Sequence, residues 1–378
     1  AAAAQVPVNG RPPELLDPGF QSNPDGAIAA ARERVAAGDF EGAIRGLRAY
    51  VAVHPNDIAP TRLLGDLYYR QTNLSMAERT YRQIIILYPG DRETHNRLGA
   101  VYATQNRIDE AITEYSRSLP GTDSVADLVS LHQRKGDLRR YQISVERDAS
   151  NNPSDGDVQG ELGSVYLAEN DYPRALQYFL KELDLHPASA LGINHAAITY
   201  MDLGLYTQAF AILKKCIAAN RTSYACTLNL AAASLETHDY ASGKELLDRA
   251  QQLEPEHPEI NINFGYLADA QGRWKEAVTY YVKALAVSPF ARDAYLNLGV
   301  DYERHKLYDL AESALIKGLS LVPSDGELHY LLGRTYQAQS KHDLARKQFE
   351  AAYQSADPRV TTLARVHLSQ LDGAPSRQ

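Results

Sequence analysis

The chain repeats itself with a period of 34 residues. Leu-Gly-x-x-Tyr stands at Leu64-Gly65-Tyr68 and, 34 residues on, at Leu98-Gly99-Tyr102; Leu298-Gly299-Tyr302 and Leu332-Gly333-Tyr336 keep the same spacing. A further copy is Leu162-Gly163-Tyr166. In each copy an alanine follows nine residues after the tyrosine: Ala77, Ala111, Ala175, Ala311 and Ala345. A proline commonly closes the unit, at Pro55, Pro89, Pro187, Pro255, Pro289 and Pro323. A unit this short cannot enclose a core of its own, so it must bury its apolar face on its neighbours. That requirement outweighs length, which at 378 residues would otherwise suggest two or three closed domains.

Units start near Pro24, Ile58, Arg92, Thr122, Gly156, Ala190, Tyr224, Pro258, Arg292 and Gly326. The third runs only from Arg92 to Gly121, which predicts a second helix about one turn short. The fourth is degenerate, but Lys135-Gly136-Asp137-Leu138 marks its central turn and Pro153 its end. Apolar residues recur at helical spacing without two-residue alternation, so each unit reads as two helices. The small residue after Leu lets the two helices approach closely, and the Tyr and the later Ala fill their contact. Gly38-Asp39, Gly136-Asp137 and Asn170-Asp171 make the turn between them, with each Asp expected as an N-cap. The proline stops the second helix. Val360 to Leu371 reads as a helix covering the tenth unit, ended by Asp372-Gly373-Ala374-Pro375. The expected organisation is an extended arm (1–23), ten repeats (24–359), a capping helix (360–372) and a tail (373–378).

These motifs resemble the tetratricopeptide repeat (TPR) family from Pro24 to Arg359. The resemblance implies an all-α, right-handed superhelical solenoid of about ten helix-turn-helix repeats with a C-terminal capping helix. It also implies a non-catalytic scaffold that binds protein. The departures are few. The family's early Trp is absent, and Trp274 stands at a turn where Tyr or Phe is usual. Ala197 and Ala231 replace the Gly, and Arg221 replaces a closing Pro.

Signatures of chemistry are absent from the sequence. There is no phosphate-cradling Gly loop, H-E-x-x-H, G-x-S-x-G or C-x-x-C. The reading is no enzyme, no cofactor and no metal. His54, His186 and His257 fall at helix ends, where they favour the dipole. Pro153-Ser154-Asp155-Gly156-Asp157 looks faintly calcium-like, but Pro323-Ser324-Asp325-Gly326 recurs at another junction, so both read as capped turns. A net charge of −8 argues against nucleic acid as a partner. No apolar run reaches the roughly 18 residues of a transmembrane span. The opening Ala1-Ala2-Ala3-Ala4-Gln5 fits a signal-peptidase site, so export to periplasm or exterior is the expectation, with cytoplasm the alternative.

In this family the sixth residue of each unit faces a concave groove. Here Asn229, Asn263 and Asn297 follow one another at that position, preceded by His195 with Asn194 beside it. A carboxamide both donates and accepts, so a ladder of them can grip the backbone of an extended peptide. The alternative is that the asparagines bond each other or helix carbonyls and stiffen the solenoid. Towards the N-terminus the face is charged, with Arg62, Asp66, Arg70, Glu93, Arg97, Asp127 and Glu161. Arg97 joins the candidate peptide contacts. The partner expected is an extended protein segment, and another copy of the chain is the alternative. In that second case the arm, with Val6, Val8, Leu15, Leu16 and Phe20 between prolines and glycines, would together with the end repeats link copies head to tail into homopolymers or filaments. Cys216 and Cys226 fall on either side of a junction between units and could form a disulfide.

Overall fold

The computed structural model describes residues 23–119, 124–255, 257–323, 325–355 and 357–373, and among these every regular element is an α-helix. The chain divides into two compact units at Ser124 and Val125. The first holds α1 (Pro24–Ala36), α2 (Phe40–Val53), α3 (Ile58–Arg70), α4 (Leu74–Leu87), α5 (Arg92–Thr104) and α6 (Ile108–Ser118). The second opens with α7 (Val125–Lys135), α8 (Leu138–Asn151), α9 (Gly156–Ala168), α10 (Tyr172–Leu185), α11 (Ala190–Asp202), α12 (Tyr206–Ala219) and α13 (Tyr224–Glu236). It continues with α14 (Tyr240–Leu253), α15 (Pro258–Ala270), α16 (Trp274–Val287), α17 (Arg292–Arg304), α18 (Tyr308–Leu321), α19 (Gly326–Ala338), α20 (His342–Tyr353) and α21 (Pro358–Gly373). Within each unit, odd and even helices pair and the pairs stack, as a solenoid of ten repeats with a closing helix requires.

Local signals fix the boundaries. α6 has 11 residues where α4 has 14, the shortening that the third repeat's length demands. Asp39, Asp171 and Asp239 cap their helices by accepting from the backbone N–H of Gly42, Arg174 and Ser242. Asp137 departs from the expectation. Its carboxylate faces His132 Nδ1 at 2.7 Å and caps nothing, because the imidazole competes for it. Asp155 and Asp325 cap the helices that follow them, so the calcium-like runs are capped turns.

All ten turns inside the repeats use one device. The fifteenth residue of each unit is left-handed, and only four of the ten are glycine: Gly38, Gly136, Gly204 and Gly272. The others are Thr72, Asn106, Asn170, His238, Lys306 and Ser340. Asn adopts this conformation cheaply, but β-branched Thr72, at φ 57°, does not. Thr72→Gly should therefore stabilise the first unit by about 1 kcal/mol, while Asn106→Gly should be close to neutral. Urea melts of the two variants check this, and equal effects would mean the turn stores no strain.

Between paired helices, residue size is exchanged. A glycine at the eighth position faces a large ring at the twenty-fourth, except Gly299, which faces Leu315. A Cβ on Gly65, Gly163, Gly265 or Gly333 would lie 2.4–2.7 Å from the ring of Tyr81, Phe179, Tyr281 or Phe349. Where the eighth residue is Ala197 or Ala231, the facing residue is the smaller Leu213 or Leu247, both fully buried. Between repeats, the fourth residue of the first helix in several cases bonds the carbonyl of the closing proline, in the loop after the preceding helix. His95 faces Pro89 O at 2.9 Å, Tyr295 donates to Pro289 O and His329 faces Pro323 O at 2.9 Å. α21 closes the second unit. Val360 and Ala364 are buried and His367 stacks on Phe349 at 4.8 Å.

Candidate functional site

The first helices of successive repeats form the candidate binding face of the second unit. α13, α15 and α17 lie side by side and leave a recess of about 200 Å³ between them. Asn263 and Asn297 both line it. Neither carboxamide has a hydrogen-bond partner among the described residues. The recess is completed by Tyr266, which is 41% exposed, by apolar Ile262 and Leu296, and by the carboxylates of Glu236 and Asp293. Helical spacing would have found several of these. Tyr266 follows Asn263 by three residues and Asp293 precedes Asn297 by four, so each shares a face with its asparagine.

The other candidates are placed differently. Asn229 donates through Nδ2 to Asn194 Oδ1 at 2.7 Å, so these two side chains tie α11 to α13. His195 is 7% exposed, with its ring 5.0 Å from that of Phe179 and Nδ1 3.4 Å from Ser164 Oγ. It packs between helices, beside Phe179 and Ser164. Leu331, at the same position of its repeat, is buried too. Arg97 lies in the first unit, where Asp66 takes its Nε at 2.7 Å and Glu93 its Nη2 at 3.1 Å. Arg62 is held likewise by Asp91 and Glu93. Arg62 and Arg97 are thus both paired with carboxylates of their own unit. Val6, Val8, Leu15, Leu16 and Phe20 lie outside the described residues. Cys216 and Cys226 are joined by a disulfide between α12 and α13, with Cα atoms 6.4 Å apart. Among the described residues no group of His, Cys, Asp or Glu could hold a metal, and no helix is long and apolar enough to cross a membrane.

Tetratricopeptide repeat models match residues 62–126, 138–190, 262–319 and 301–361, and a second such model matches 200–262. These spans cover well over half of the sequence. The chain belongs to the tetratricopeptide repeat family. Among curated relatives, this TPR chain is 23% identical over 194 residues to the BBSome complex member BBS4 of Bos taurus, covering 50% of the chain and 37% of that protein. It is 23% identical over 217 residues to the anaphase-promoting complex subunit cut9 of Schizosaccharomyces pombe, covering 55% of the chain and 32% of that protein. The TPR chain thus spans about a third of the length of these relatives. Among solved structures, the Cut9–Hcn1 hetero-tetramer matches with TM-score 0.47 at 15% identity, covering 92% of this chain and 90% of that one. Yeast Tom70 matches with TM-score 0.49 at 13% identity, covering 92% and 96%.

One buried acid of the TPR array affects its pH response. Asp301, on α17, is 2% exposed, and Arg304 Nη1 bridges it to Asp269. Burial, and then the charge of Asp269, push its carboxyl up to about 6. A carboxyl raised on folding contributes its stability fully below its unfolded value and loses it as pH rises through the folded one. The second unit should therefore weaken between about pH 4 and pH 7. Asp301→Asn cannot ionise and should be more stable at pH 7.5 by roughly 1–2 kcal/mol. Unfolding curves of both proteins across this range decide, and parallel pH profiles would exclude the acid as the cause.

Proposed function

We propose that this chain is a non-catalytic scaffold that binds an extended segment of another protein along α13, α15 and α17. The observation that carries the reading is the pair of unpartnered carboxamides, Asn263 and Asn297, 34 residues apart in one recess. Each can donate to and accept from the backbone of an extended chain. Tyr266, Ile262 and Leu296 offer apolar contact beside them. Asn229 contributes less to the grip, since Asn194 already holds its Nδ2. The relatives support an assembly role, because their names describe a member of one complex and a subunit of another. The Cys216–Cys226 disulfide supports a working place in an oxidising compartment.

A displayed library of random 12-residue peptides tests the reading. Peptides selected on the wild-type chain should bind the Asn263→Ala/Asn297→Ala variant about 10–100-fold more weakly, at about 0.5–1.5 kcal/mol for each net bond lost. Asn229→Ala should weaken them by no more than about threefold. Helicity should be unchanged, because alanine is the better helix former. Selected peptides that bind the double variant as well as wild type would remove the recess from the mechanism.

A further inference from the structure

The second unit has another recess, on the side of its second helices. A cleft of about 500 Å³ opens between α14 and α16, over α15. Asn261 of α15 lines it. This residue is only 8% exposed, yet its carboxamide has no hydrogen-bond partner among the described residues. It occupies the fourth position of its repeat, where Tyr295 and His329 reach the carbonyl of the closing proline in the preceding loop. Asn261 makes no such bond and lines the cleft instead. Its carboxamide is not one of the unpartnered polar atoms shut off from solvent, so its free donor and acceptor are open to the cleft.

The surroundings indicate what would satisfy it. Phe264 and Tyr280 stack at 5.3 Å between ring centroids and give the cleft an aromatic wall. Its two carboxylates are matched by neighbouring cations: Lys244 holds Asp248 at 2.7 Å, and Arg273 holds Glu276. Lys283 is the remaining lining charge. Its ammonium lies 5.1 Å from the Tyr280 centroid and has no carboxylate partner among the described residues. The volume is that of a small-ligand site.

We propose that this cleft binds a carboxylate carried on an aromatic or aliphatic body. Lys283 pairs with the anion, Asn261 donates an N–H to the ligand, and the Phe264–Tyr280 stack holds the body. The source of such a group is a free acid or an acidic residue beside an aromatic one in a partner protein.

The full chain is titrated with phenylacetate by saturation-transfer NMR, with benzyl alcohol and benzylamine as neutral and cationic counterparts. Phenylacetate should bind about tenfold or more tightly than either, since the unpaired charge of the site is positive. Lys283→Gln, a change at an exposed side chain, should weaken it by about fivefold or more. Asn261→Leu should weaken phenylacetate by about fivefold or more, because it removes the N–H that the ligand accepts. Acetyl-Phe-Glu-amide carries the same chemistry on a peptide. If it binds more tightly than phenylacetate, the source is a protein segment; if more weakly, a free acid. The proposal is overturned by equal binding of the three benzyl compounds, by no saturation up to the solubility of phenylacetate, or by unchanged affinity in Lys283→Gln.

Discussion

Replacing Gly265 by alanine is expected to destabilise the repeat formed by α15 and α16 by about 2–3 kcal/mol. The new Cβ would lie 2.4 Å from Cε1 of Tyr281, a ring only 3% exposed and packed among Ala277, Ala284 and Ala294. Such a ring cannot move aside without disturbing the core around it. Tyr281→Leu alone should also cost about 2–4 kcal/mol, through the cavity it leaves. The double variant should recover part of the loss, because Ala facing Leu is the pairing already present at Ala197–Leu213 and Ala231–Leu247. A coupling energy of roughly 1–2 kcal/mol is therefore expected between the two positions. Gly299→Ala provides a contrast, since its neighbour is Leu315, the smaller residue type that already faces alanine at Ala197–Leu213, and the cost should stay below about 1.5 kcal/mol. Repeat arrays unravel locally, so amide exchange in α15 and α16 reads the effect more directly than a global melt. Strict additivity of the two single changes would rule out the size exchange.

Removing the disulfide is the second change with a large expected effect. C216S/C226S should weaken the junction of α12 and α13 by about 3 kcal/mol, the chain-entropy value for a loop of this length. The bridge replaces contacts made elsewhere by apolar residues at the same two positions, such as Gly318 against Leu328. It also stands where Arg221 interrupts the run of closing prolines. Asn229 lies one turn beyond Cys226 on α13, so loosening this junction should also disturb its bond to Asn194. Amides of α12 and α13 should exchange roughly 100-fold faster in the variant, and equally so in wild type treated with a dithiol reductant. Exchange that is unchanged in α12 and α13 would show that helix packing alone sets this junction.

The repeat architecture was legible because its signals are local. Leu-Gly-x-x-Tyr, the alanine nine residues later and the closing proline each act within one helix pair, and they locate the helices without reference to the rest of the chain. The candidate site was only half legible. Asn263 and Asn297 line one recess, but Asn229 bonds Asn194, His195 is enclosed beside Phe179, and Arg97 is held by Asp66. A shared position in the repeat does not ensure a shared environment, since the residues on neighbouring helices differ: Asn194 stands beside Asn229, and Phe179 beside His195. The same holds for the cleft at Asn261, which depends on how far α14 and α16 stand apart. The size exchange could have been read, because Gly163 with Phe179 and Ala197 with Leu213 are both visible once the eighth and twenty-fourth residues are compared.

That exchange also limits how such a chain can be recombined. A crossover in the turn between paired helices could join the Ala231 helix to the helix bearing Tyr281, setting a methyl group against a ring that needs glycine. A crossover in the loop between repeats keeps each small residue with its matched partner. The heritable module is therefore the helix pair, and gain, loss or shuffling of repeats should leave its breakpoints in the loops after the second helices.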